Sequence, residues 1–88
     1  MFRMWGKLIK NNKMMEDQTI CNDTSDSRTD KVFDSLNEIC DNWDLSKPIW
    51  LDKNIAEFKK HAKTRFDQDH FIDHIDFDYL EIQVIEEG

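Results

Sequence analysis

The sequence predicts a small α+β domain: an antiparallel sheet, built from an N-terminal hairpin and a C-terminal strand, covered on one face by two helices. Three observations point there. Residues 2–9 and 79–86 alternate apolar and polar side chains with the two-residue period of strands. Residues 32–43 and 54–63 space their apolar side chains at the helical period instead. The 88 residues suffice for one core and leave no room for a second, so the whole chain reads as a single domain. Helices on one side of such a sheet bury one sheet face and two helix stripes together.

In the first strand Phe2, Met4 and Leu8 share a face, and Arg3, Trp5, Lys7 and Ile9 share the other. Gly6 interrupts this run, which predicts a bulge or a close approach of another element. Asn11-Asn12 supplies a turn, because Asn tolerates positive φ, and residues 14–21 return as the second strand. The stretch 22–30, NDTSDSRTD, reads as a mobile surface loop. Ser27 or Thr29 can cap the following helix, and Asp30 then lies near the positive end of its dipole. Val32, Phe33, Leu36, Ile39, Cys40 and Trp43 form its apolar stripe, while Asp34, Ser35, Asn37, Glu38, Asp41 and Asn42 face away.

Pro48 disfavours helical geometry at Lys47 and ends that helix. Ile49-Trp50-Leu51 is then an apolar plug for the core. A second helix is expected from Asn54, with Glu57 completing a variant capping box. Its inward residues are Ile55, Phe58 and Ala62; Lys59, Lys60 and Lys63 face water. Thr64-Arg65-Phe66 is a short strand, and 67–78 is an acidic, irregular stretch anchored by Phe71, Ile72, Ile75 and Phe77. The closing strand sets Leu80, Ile82 and Val84 against Glu81 and Gln83.

The composition agrees with a globular chain. Apolar residues are 39% of it, but six Phe, three Trp and one Tyr bury much area each, and two Gly with one Pro argue against low complexity. The net charge of −7 is unevenly spread: residues 1–13 and 45–65 are basic, whereas 14–44 and 66–88 are acidic. An acidic chain is not drawn to nucleic acid by its long-range field, and its segregated charges can pair within the fold or across a dimer. No apolar run is long enough for a signal peptide or a membrane span. Cys21 and Cys40 are too few and too far apart for a CxxC or zinc pattern, which predicts reduced thiols in a cytoplasmic protein with no membrane association.

Two groups of residues are candidate sites. In Asp69-His70-Phe71-Ile72-Asp73-His74, the two histidines fall four residues apart and would share a helix face, with Asp69 and Asp73 able to complete a divalent-metal site. HExxH and the EF-hand loop are both absent. On the outer face of the hairpin, Trp5 between Arg3 and Lys7 is a candidate contact surface for a protein partner or a second copy; alternatively Trp5 packs under the 67–78 segment. Gly-rich phosphate loops, GxSxG and recognisable Cys–His pairs are missing, so neither catalysis nor a cofactor is expected. The two helices invite comparison with a helix-turn-helix, the second being Lys-rich, but the connection containing Pro48 is longer than such a turn.

The run Pro48 to Phe58 (PIWLDKNIAEF), the stretches Asp69-His70-Phe71-Ile72 and Ile75 to Ile82, and Trp5-Gly6-Lys7 together resemble small uncharacterised proteins of clostridia-like Gram-positive bacteria. The resemblance implies a bacterial cytoplasmic protein and carries over no active site, cofactor or ligand. The sequence therefore predicts a non-enzymatic protein acting by protein–protein interaction or self-association. Metal binding through the Asp/His segment and helix-turn-helix-like nucleic-acid binding are the alternatives.

Overall fold

The alternation at the N-terminus does produce a hairpin. The structure, a computed structural model, describes residues 1–87. Strand β1 (Phe2–Lys10) runs antiparallel to β2 (Lys13–Asn22). Asn11 and Asn12 turn between them with φ of 54° and 63°, the double positive φ that a tight hairpin turn requires. Helices α1 (Arg28–Asn42) and α2 (Asp52–His61) follow, then β3 (Lys63–Phe66), a 3₁₀ turn at Gln68–His70, and β4 (Tyr79–Glu87). The sheet order is β2-β1-β4-β3, antiparallel throughout, which places the first and last strands side by side at its centre.

The helices close one face of this sheet. Met4, Ile39, Cys40, Phe66, Leu80 and Ile82 have no exposed surface there, and Phe2, Leu8, Leu36 and Phe58 are buried with them. Each large apolar side chain so buried contributes roughly 1.5–3 kcal/mol. Gly6 makes no bulge; the ladder shifts at Leu8/Ile9 and Arg3/Met4 instead. A Cβ on Gly6 would lie 2.9 Å from Ile39 Cδ1, so the glycine lets α1 approach β1 closely. Among the described residues no helix is long and apolar enough to cross a membrane.

Several local expectations are corrected. Helix α1 starts at Arg28, within the stretch read as a loop, and Ser27 is its cap, with Oγ accepting from the Asp30 N–H at 3.2 Å. Phe33 is 44% exposed, whereas Ser35 is buried. The regular series Val32, Ser35, Leu36, Ile39, Cys40 occupies the inward stripe, and Phe33 at its flank rests edge-on against Trp50, centroids 5.6 Å apart. Of the apolar plug only Trp50 turns inward, meeting Phe58 and Phe66 at 5.6 and 5.1 Å, while Ile49 and Leu51 are exposed. Helix α2 begins at Asp52, two residues before Asn54, which is not its cap: Asn54 is fully buried, and its Oδ1 accepts from the Leu51 N–H at 3.0 Å. Ile55 and Ile72, both expected to face inward, are exposed.

Candidate interaction surface

Among the described residues no helix lies on the second face of the sheet. Because side chains alternate along each strand, everything that β1 and β4 do not send into the core is presented here. One row crosses all four strands through paired positions, Asp17 on β2, Lys7 on β1, Glu81 on β4 and Arg65 on β3, and its charges alternate in sign. Lys7 Nζ lies 2.6 Å from Glu81 Oε2, and Arg65 Nε donates to Glu81 Oε1 at 3.0 Å. Glu81 is buried, with Lys7 and Arg65 packed against its carboxylate. That burial would raise its pKa, but the hydrogen bonds from Lys7 and Arg65 outweigh it and hold the carboxyl below the usual range.

Two aromatic rings are locked into the same lattice. Trp5, one step from Lys7 on the same face, is half-buried; its Nε1–H donates to Asp17 Oδ2 at 2.8 Å, and Lys7 Nζ sits 4.1 Å from the ring centroid. The Arg65 guanidinium lies 4.6 Å from the centroid of Tyr79. Arg3, at the margin, pairs with Glu86 at 3.2 Å. Arg3, Trp5 and Lys7 are therefore brought together on one face, as expected, while Trp5 is held by Asp17 and Lys7. No family model, curated protein or solved structure matches this chain.

The Asp/His segment is arranged differently. His70 is 1% exposed and belongs to a buried polar network between α2, β3 and the 3₁₀ turn. Asn54 Nδ2 donates to Thr64 Oγ1 at 2.8 Å and to the Arg65 carbonyl at 2.9 Å, so Asn54 Oδ1 accepts, and His70 Nε2 at 2.9 Å must carry a proton. His70 Nδ1 faces both the Asp67 N–H at 3.2 Å and Asp67 Oδ1 at 2.9 Å, which serve the neutral and the protonated ring respectively. The Thr64 Oγ1–H in turn donates a hydrogen bond to Glu57 Oε1 at 2.9 Å. Burial would raise the pKa of Asp67, but the His70 ring and the Asp69 N–H outweigh it and hold the carboxyl low.

With both ring nitrogens engaged inside the protein, His70 has none to offer a metal. His74 points away, its side chain 84% exposed, with Asp76 at 3.5 Å. Asp69 and Asp73 are also exposed. Among the described residues no three or more His, Cys, Asp or Glu are grouped to hold a metal ion. The i, i+4 spacing failed as a guide because residues 71–78 are not helical. Nothing in the local sequence around His70 announces the network either, since Asn54 and Thr64 come from other elements; Asp67 with His70 three residues on is its one local trace. The helix-turn-helix comparison also fails on geometry, since residues 43–51 separate the helices and Trp50 wedges between Phe33 and Phe58.

Proposed function

We propose that this protein is a non-enzymatic binding module that engages a protein partner through the open face of its sheet, with Trp5 at the centre and Arg3 and Lys7 beside it. One observation supports this most: among the described residues no helix lies on this face, yet its aromatic and charged side chains are already fixed by one another. Side chains that are ordered before contact lose less entropy on binding, which favours recognition. Trp, Tyr and Arg, the residue types that dominate binding energy at protein interfaces, all occur in this patch. The two free cysteines, Cys21 exposed and Cys40 buried, support a reducing, cytoplasmic setting.

The test is affinity capture with the purified protein, followed by titration of whatever is retained. Trp5→Ala and Lys7→Glu should each weaken binding at least about tenfold, the scale of a central interface residue. Backbone amide shifts on binding should map to Arg3, Lys7, Glu81 and Gln83. A partner held equally by wild type and both variants, or one whose footprint lies on the helices, would rule this surface out.

A further inference from the structure

The helical side of the molecule holds a second feature that the open sheet face does not use. Between α1 and α2 lies an apolar cleft of about 250 Å³, lined by Phe33, Trp50, Ile55 and Phe58, with Arg28 and Lys59 at its rim. A cavity of about 150 Å³ already accommodates benzene, and small-molecule pockets run to roughly 300–1,000 Å³, so the cleft suits one or two large side chains of a protein better than a free ligand. Its cationic rim selects an apolar side chain flanked by acids. Arg28 shows that a carboxylate is accepted there, since it pairs with Glu87 of its own chain.

The same chain carries the complementary part. Ile72 is 83% exposed, more than any other large apolar residue described. It is not on a loose loop. Phe71 and Ile75 on either side are buried, and the Gln68 side chain clamps the segment, donating to the Asp73 carbonyl at 2.8 Å and accepting from the Ile75 N–H at 2.9 Å. Ile72 is thus held out in water between the exposed acids Asp69 and Asp73. Of the other outward apolar residues, Met14 follows Lys13, the wrong sign for this rim, and none stands as far out as Ile72.

The structure assigns the cleft to a second copy of this chain: we infer that Ile72 of one molecule inserts between Phe33, Trp50 and Ile55 of the next, with Asp69 and Asp73 facing Arg28 and Lys59. Ile72 does not enter the cleft of its own chain, because the Gln68 clamp holds it out in water. Knob and cleft are different patches of one chain, so the contact joins unlike surfaces of two molecules. A single knob buries far less than the roughly 1,600 Å² of a stable complex, so the association is weak and concentration-driven.

Sedimentation of the full chain decides this. For wild type the weight-average mass should at least double between about 10 μM and about 1 mM. Ile72→Ser and Lys59→Glu, both at exposed positions, should each remain monomeric alone while melting like wild type. Mixed in equal amounts they should form a one-to-one complex and nothing larger, because each retains the half that the other lacks. Trp5→Ala should associate like wild type, which separates this contact from the open sheet face. A wild type that stays monomeric at the highest concentration would overturn the inference, as would an Ile72→Ser chain that associates normally or a mixture that remains monomeric.

Discussion

The two faces of the central strands β1 and β4 are made by the same alternation but sealed by different physics. Toward the helices, Met4, Leu80 and Ile82 lose all contact with water by apolar packing. On the opposite face Glu81, at 7% exposure, is almost as hidden, yet its cover consists of the aliphatic stems and charges of Lys7 and Arg65. Apolar packing is non-directional and grows with area, whereas an ion-pair lattice depends on geometry and on protonation. The covered face should therefore govern stability at every pH, and the open face should add a smaller, acid-sensitive share.

Three substitutions probe that contrast, in falling order of effect. Ile82→Ala removes a fully buried side chain and leaves a cavity under α1 and α2; it should cost about 3 kcal/mol in denaturant unfolding, at neutral and at mildly acid pH alike. Glu81→Gln keeps the shape but leaves Lys7 and Arg65 without their counter-charge, at a cost of about 1–2 kcal/mol at pH 7. The folded pKa of Glu81 lies below its ordinary value of 4.5, so its contribution is complete above that value and disappears as pH falls through the lower folded one. The gap between wild type and Glu81→Gln, followed by melting from pH 7 to pH 3, should accordingly close with acid. A constant gap would mean that the lattice acts through shape alone. Trp5→Ala should change stability least, by under about 1 kcal/mol, because the ring is only half-buried and its one hydrogen bond is to an exposed acid.

The strength of each local signal explains what could be read in advance. Strand alternation at Phe2, Met4 and Leu8 and at Leu80, Ile82 and Val84 is a two-residue rule, and both runs lie where that rule puts them. The helical stripe of α1 was legible at Val32, Leu36, Ile39 and Cys40 but misassigned Phe33 and Ser35, because hydrophobicity outranks position at the edge of a stripe. An aromatic ring there can lie on a neighbour such as Trp50, and a small serine fits under the helix. Arg3, Trp5 and Lys7 were recognisable as one outward row. Their partners Asp17, Glu81 and Arg65 were not, since strand register across the sheet is set by long-range pairing. The burial of His70 and Asn54 was equally invisible, because their complementarity exists only once α2 and β3 meet.

The order β2-β1-β4-β3 has a consequence for how the chain acquires its shape. The pair at the middle of the sheet joins Phe2 to Glu87, so its formation closes a loop through nearly all the described residues. Such closure sacrifices chain entropy before it gains contacts, which slows folding. The β1–β2 hairpin can form early, yet an isolated hairpin is marginal in water. A growing chain must therefore wait for β4 to leave the ribosome before β1 gains its second neighbour, and until then Met4 and Leu8 lack half of their shelter.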